Sequence, residues 1–377
     1  MIHFLLDSPE VAVRVCEVIY HLAQQETSSS SVLAPYLKDI ITSLIAAAET
    51  TDAKLRSAAY ETLQEVIRCS SIESIQEITH YCLTVFLNKL EQTIKLSSED
   101  SEKQGDLLAL ICGVVHVITQ KLNSCTINET KDVISKAADQ IMKLLFQVFI
   151  ICKRPAVYEN AMLAIGALVC ATGKQFEQYM KEFCDCFRTG LENFEEYKTD
   201  FVSIGVVSDI CRALDYKVVR FLDGIYLPLI GKLYSKDLHW SVRSQMFSCF
   251  GDMALAAGVH FEHKVDYLMP GMEAAAKKCA QIDEEMVEYG NQLKVCIFKA
   301  YSGILQGCKR SKYQDMVLVP IVPPLFNFIK LVVKDANRDK SVVGAAVVVL
   351  GDLADALALG PNVKEVFKDH LPICSEF

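Results

Sequence analysis

The sequence predicts an all-α solenoid of stacked helix pairs, and three observations predict it. Apolar residues recur at helical spacing: Val202, Val206, Ile210 and Ala213 form one stripe with Ser208, Asp209 and Arg212 on the other side. Val242, Met246, Phe250, Met253 and Ala257 form another, opposed by Ser241, Gln245, Ser248 and Asp252. Helix breakers are few, with 10 prolines and 17 glycines in 377 residues, which excludes a disordered or collagen-like chain. Lastly, one five-residue pattern returns eight times.

The pattern reads apolar, variable, anchor, apolar, variable. In chain order its anchors are Glu17 (V-C-E-V-I), Glu65 (L-Q-E-V-I), Gly113 (I-C-G-V-V) and Ala167 (I-G-A-L-V). It continues at Asp209 (V-S-D-I-C), Asp252 (F-G-D-M-A), Gly303 (Y-S-G-I-L) and Asp352 (L-G-D-L-A). The separations are 48, 48, 54, 42, 43, 51 and 49 residues. A period of this size leaves room for two helices of about four turns and two loops, as in HEAT and armadillo arrays. Neither helix of a pair can bury its stripe alone, so stacking is what makes the core. The expected class is therefore an all-α HEAT-repeat superhelical solenoid, an α-α superhelix.

Each element follows from that frame. The anchor helix is the second of each pair, and first helices are expected at 32–48, 75–90, 176–193, 218–234 and 261–278. The segment 341–350 is rich in β-branched residues, yet it runs on into G-D-L-A-D-A-L-A without a turn signal and is read as helix. Polar connections fall at 28–31, 97–102, 123–130 and 334–340, none biased enough to divide domains. The expected organisation is one array over 1–377, with about eight repeats and part of a ninth at 362–372. Because neither end offers a polar cap, truncation at both ends is expected.

Composition narrows the function. Lys and Arg number 38 against 47 Asp and Glu, a net charge of −9, which argues against nucleic-acid binding and suits a partner with basic segments. Fifteen cysteines without a C-x-x-C pair, and no signal peptide at the start, point to a reducing intracellular compartment and thiols used as small core hydrophobes. The longest apolar runs, 144–152 and 342–350, fall far short of the ~20 residues a bilayer requires, so membrane insertion is not expected.

Several segments are more specific. Ser208-Asp-Ile-Cys-Arg-Ala-Leu214, Phe250-Gly-Asp-Met-Ala-Leu-Ala-Ala-Gly258 and Met286-Val-Glu-Tyr289 resemble the importin-β (karyopherin-β) nuclear import receptors. So do Lys54-Leu-Arg-Ser-Ala-Ala-Tyr-Glu-Thr-Leu63, Ala300-Tyr-Ser-Gly-Ile-Leu-Gln-Gly307 and Leu350-Gly-Asp-Leu353. Together they cover nearly the whole chain in the family's order and correspond to the receptor's C-terminal half. The resemblance implies a HEAT superhelix that takes the basic importin-β-binding segment of importin-α, or basic cargo, and touches nucleoporin Phe-Gly repeats. It also implies Ran GTPase as a partner, with its main site in the N-terminal half. The implied location is cytoplasm, nucleus and nuclear pore. The family often carries a tryptophan in the first window; here that anchor is Glu17, and the sole tryptophan, Trp240, lies at a repeat start.

Two sets of site residues follow. Glu17, Glu65, Asp209, Asp252 and Asp352 share one register on second helices, which line the concave face in HEAT superhelices. They form either a carboxylate track for a basic segment or a structural ladder in which each acid pairs with a neighbour such as Arg212. Phe183, Phe187, Phe221 and Ile225 lie on consecutive first helices, where the resemblance places nucleoporin pockets; helical patterning alone makes them core. The acidic run Asp283-Glu-Glu285 with Glu288 reads as a solvated helix face.

Catalytic signals are poor, and no enzyme, metal or cofactor is expected. His260-Phe-Glu-His263 lacks the H-E-x-x-H order and a third ligand, and Cys184-Asp-Cys186 is too short for a zinc or redox pair. Gly303 and Gly307 suggest close helix packing in polar surroundings. There is no phosphate loop, dinucleotide fingerprint or nucleophile elbow. A scaffold subunit organising an enzyme such as a phosphatase is the alternative, disfavoured by the long and irregular period.

Overall fold

The computed structural model describes residues 2–25, 33–96, 101–124, 128–193, 196–236, 238–279, 286–335 and 339–358. Helix is the only regular secondary structure among them. The second helices of the pairs are α1 (Pro9–Gln24), α3 (Ala53–Cys69), α5 (Ser101–Asn123), α7 (Pro155–Thr172), α9 (Tyr197–Leu214), α11 (Trp240–Ala257), α13 (Val287–Cys308) and α16 (Lys340–Leu357). All eight anchors fall on them. The first helices are α2 (Leu37–Ala47), α4 (Ile72–Lys95), α6 (Asn128–Ile151), α8 (Met180–Asn193), α10 (Leu222–Leu233), α12 (Glu262–Cys279) and α15 (Val322–Val333), the last preceded by the single turn α14 (Gln314–Leu318). The stretch 341–350 is helical, as read. The expected ninth unit at 362–372, the acidic run 283–285 and much of the polar connections lie outside the described residues.

The chain forms two compact units, Met1–Gln175 and Phe176–Phe377. In the first, second helices pack in succession, α1 on α3, α3 on α5 and α5 on α7, with α2, α4 and α6 as an outer layer. In the second the succession is α9, α11, α13 and α16, covered by α8, α10, α12 and α15. Local chemistry sets the helix starts. Asp52 caps α3 by accepting from Leu55 N–H (2.8 Å), and Ser71 caps α4 through Ser74 N–H (3.2 Å). Asp339 caps α16 through Ser341 N–H (2.8 Å), and prolines 9 and 155 open α1 and α7, where a missing N–H costs nothing.

Three second helices, α7, α9 and α11, end in the same way. The residue after each has positive φ, Gly173 at 54°, Asp215 at 53° and Gly258 at 59°, and a short 3₁₀ segment leads into the next first helix. Asp215 holds without glycine's freedom a conformation that its two counterparts reach with it. This shared turn explains why α8, α10 and α12 begin later than periodicity suggests: 3₁₀ turns occupy Gly173–Tyr179, Asp215–Phe221 and Gly258–Phe261.

Aromatic side chains fill the interior. Phe176, Phe183, Phe187, Phe247, Phe250, Phe261, Phe298, Phe326 and Tyr301 are fully buried in the second unit, and Tyr60 and Phe86 in the first. Eight of the thirteen described cysteines are buried, and burial pushes their thiols up, Cys16 to about 11 and Cys112 to about 12. They pack as small hydrophobes, as the count suggested.

The premise that every apolar stretch falls short of a bilayer's span requires correction. Three stretches, Ser101–Asn123, Pro155–Glu192 and Gln314–Val333, are long and apolar enough to cross a bilayer by length and composition alone. Unbroken apolar runs do not reveal them, because a few polar residues interrupt each one. The physical reason for their composition is the stacking itself: helices packed between neighbours on several sides lose most of their polar face, and 50–61% of each window is buried inside the protein.

Candidate partner-binding face

The anchor register is the natural place to look for a binding face. In the first unit, Glu17 lies on the surface of α1 and pairs with Arg14, one turn earlier on the same helix (2.7 Å). Glu65 is buried, bonds Arg68 of its own helix and accepts from the Cys69 thiol (3.4 Å). Gly113 and Ala167 complete the register, so no carboxylate continues it across α5 and α7.

In the second unit the same register reaches between helices. Arg212 of α9 places one guanidinium nitrogen 2.7 Å from Asp209 on its own helix and the other 2.6 Å from Asp252 on α11. Burial pushes the Asp252 carboxyl up despite the arginine beside it. For Arg212, burial alone would lower the pKa, but the bonds and charges of Asp209 and Asp252 outweigh it and hold the guanidinium above the ordinary range. Asp352 of α16 accepts from Ser302 Oγ and from Gln306 Nε2 (2.7 Å), both on α13, while Lys309, the residue that caps the end of α13, pairs with Asp355 of α16 (2.9 Å). Asp209, Asp252 and Asp352 all stay partly exposed. Every acid of the register therefore has an internal partner; Asp252 and Asp352 combine a partner on the preceding second helix with partial exposure, and Asp209 shares the arginine that Asp252 binds.

The aromatic candidates divide. Phe183, Phe187 and Ile225 have no exposed surface, and Phe183 stacks on Phe187 with ring centroids 5.9 Å apart. Their place as nucleoporin contacts is corrected: these residues are the hydrophobic stripes of α8 and α10, and they offer nothing for a partner to touch. Phe221, at the end of the 3₁₀ turn before α10, keeps partial exposure.

The structure adds residues that pattern reading missed. Leu227 (61% exposed), Gly231, whose surroundings are open, and Tyr234 follow one another along the outward side of α10, and Tyr267 (68% exposed) stands on α12. The Tyr234 hydroxyl donates to the Tyr267 carbonyl (2.7 Å) and ties the two sides together. The available signal was an apolar or aromatic residue on the polar side of a helical stripe. Trp240, half exposed, sets its ring edge against Tyr289 at 4.8 Å, while His239 stacks on Tyr197 at 4.0 Å. Glu288 is exposed, and Cys184 and Cys186 are half-buried. Among the described residues no three His, Cys, Asp or Glu side chains converge as metal ligands do.

Comparison with known proteins gives this geometry its context. A family profile described as importin subunit beta-1-like, TPR repeats, matches residues 1–371. Importin subunit beta-1 of Arabidopsis thaliana is 42% identical over 368 residues, spanning 95% of this chain and 42% of that protein. Importin subunit beta-1 of Schizosaccharomyces pombe is 29% identical over 373 residues, spanning 94% and 42%. A crystal structure of importin beta in an ammonium sulfate condition has a TM-score of 0.84 at 28% identity, covering 100% of this chain and 44% of that one. The chain thus spans less than half the length of the relatives it matches. With the repeat fold, the anchor register and a profile that runs over nearly all of its residues, the chain belongs to the importin-β family.

Proposed function

We propose that this chain is a region of a non-enzymatic nuclear import receptor, working between cytoplasm and nucleus and at the nuclear pore. Its second helices hold the basic importin-β-binding segment of importin-α, or a basic cargo, and its first helices take Phe side chains of nucleoporin Phe-Gly repeats. The observation that carries the reading is the register of Asp209, Asp252 and Asp352: partly exposed carboxylates at the same position of three of the four second helices of the second unit, α9, α11 and α16, with Gly303 in that place on α13, in a chain of net charge −9. Such a row matches a helix or extended segment bearing Arg and Lys, through charge-assisted hydrogen bonds and long-range attraction.

For the nucleoporin contact the reading moves outward from the buried phenylalanines. Phe221, Leu227, Tyr234 and Tyr267 supply apolar surface on α10, α12 and the turn before α10, where a Phe ring gains area without displacing core. Solved structures of Kap95 with Nup1 and with RanGDP share the fold, at 22% identity, and are the precedent for naming these partners. Ran is proposed as a partner of the longer receptor.

Titration of the folded chain with a fluorescent importin-β-binding peptide from an importin-α, at low and at high salt, tests the reading. Tight binding that weakens with salt is the expected result. No binding by a folded chain would remove the adaptor claim.

A further inference from the structure

Arg212 occupies the place that the proposed function gives to a partner's arginine. Its guanidinium lies between two anchor carboxylates from successive repeats, 2.7 Å from Asp209 and 2.6 Å from Asp252, and its own side chain is 58% exposed. A planar fork of donors facing two carboxylates is the arrangement by which arginine is recognised in any complex. Among the described anchors this is the one point where a single cation spans two repeats. Glu65 is buried, Glu17 pairs within its own helix, and Asp352 is satisfied by neutral donors.

We propose that Arg212 is an internal competitor: it fills the guanidinium place between Asp209 and Asp252 in the free chain, and a basic partner binds there by displacing it with its own arginine. The inference rests on the adaptor-binding reading and sharpens it to one residue. With Arg212 in place, the pair of acids presents one net negative charge to an approaching segment, and the cationic head repels the very side chain the site suits. Exposure makes the exchange feasible, because the released guanidinium swings into water and recovers hydration there. Asp252, the more buried of the two acids, keeps Ser208 and Lys299 near it when Arg212 leaves, and a direct exchange of one guanidinium for another spares it an unpaired interval. The consequence runs against intuition. Removing a charged, hydrogen-bonded residue from the face should tighten binding to a basic ligand.

The experiment uses the full chain and the same fluorescent importin-β-binding peptide, with R212A, R212K, D209N, D252N and the charge control K198A. Lys198 is an exposed cation on the same helix that takes no part in the pair. Circular dichroism establishes that each variant is folded. R212A should bind about threefold to tenfold tighter at low salt, the range of one additional solvent-exposed hydrogen bond to the peptide. R212K keeps the charge but, as a point cation, reaches one carboxylate at a time; it should show a smaller gain, and K198A should stay within about twofold of the parent. Equal gains in R212A and K198A, with none in R212K, would mean that only total charge matters and would overturn the proposal. Weaker binding by D209N or D252N without tighter binding by either Arg212 variant would overturn the proposal and leave the adaptor reading standing. No binding by the parent, or no effect of D209N and D252N, would bring down both. Should R212A fail to fold, R212K against K198A decides the question alone.

Discussion

In the first unit the carboxylates of the anchor register turn back onto their own helices, Glu17 to Arg14 and Glu65 to Arg68, whereas in the second Asp252 and Asp352 reach across to the helix before. The links between second helices differ to match. The first unit joins them mainly by side chains on backbone carbonyls: Thr62 Oγ1 donates to Cys16 (3.2 Å), Lys121 to Arg68 (3.0 Å) and Arg154 to Glu102 (2.7 Å), with one ion pair, Arg154 to Asp106 (2.8 Å), beside them. The second joins them by carboxylates, and it also brings the helices closer. A Cβ on Gly303 would stand 2.2 Å from the Gly251 carbonyl oxygen, and one on Gly307 would stand 2.1 Å from that of Ala254, so the backbones of α11 and α13 touch. A Cβ on Gly113, at the same register position in the first unit, would meet the side-chain amide of Gln64 at 2.8 Å instead. One repeat pattern thus supports two kinds of seam. The first kind of seam sets cations, Lys121 and Arg154, on the helix junctions, while the seams made of aspartates leave partly exposed acids there.

The largest expected effect comes from that glycine position. Gly303→Ala drives a methyl into backbone and should lower unfolding stability by about 3 kcal/mol, while Gly113→Ala meets only the side-chain ends of Gln64 and Asn160 and should stay within about 1 kcal/mol of the parent. Denaturant melts of the two variants decide it; equal losses would mean the two seams are packed alike. Next comes the arginine. Arg212→Ala leaves the half-buried Asp252 without its cation and should cost about 1–2 kcal/mol, against at most about 0.5 kcal/mol for Arg14→Ala on the surface of α1. A third pair tests the shared turn. Gly173→Asp, at φ 54°, should lose about 1 kcal/mol, and Asp215→Gly, at φ 53°, should gain about as much.

The smallest effect is a pH dependence that one buried acid of the second unit supplies. Asp200 of α9 is buried against Lys232 (2.9 Å), and burial pushes its carboxyl above the ordinary aspartate value. An acid whose folded pKa is raised contributes stability below its unfolded pKa and loses that contribution as pH rises through the folded one. Glu177, held down first by its bond from Lys217, and Asp355, held down first by its bond from Lys309, act in the opposite sense and lose their contribution as pH falls. Asp200→Asn removes only the first kind. The stability of the parent minus that of D200N should therefore fall as pH rises from the acid side toward neutrality, and melts over that range measure it.

Much of the architecture was legible in the sequence because stacking repeats one demand. Each second helix must present apolar residues two before and one after its anchor, and all eight do so on the helices observed. The Gly303 and Gly307 spacing announced close packing, and the structure shows it to be backbone on backbone. Less of the site was legible. Phe183, Phe187 and Ile225 obey the helical stripe and are core for that reason, whereas Leu227, Tyr234 and Tyr267 violate the stripe, and only the fold shows on which side they stand. Arg212 was visible as a neighbour of Asp209, three residues earlier, but its second bond depends on Asp252, forty residues later, and on the depth at which α9 and α11 pack.

The central claim is that the aspartate seams of the second unit form the face for a basic partner. The most direct measurement compares the triple variant D209N/D252N/D352N with E17Q/E65Q for binding of the importin-β-binding peptide, across a salt series and with folding verified. The account predicts that the triple variant loses most of the affinity and most of its salt dependence, while E17Q/E65Q binds like the parent. A triple variant that binds as tightly as the parent, with an unchanged salt slope, would contradict it.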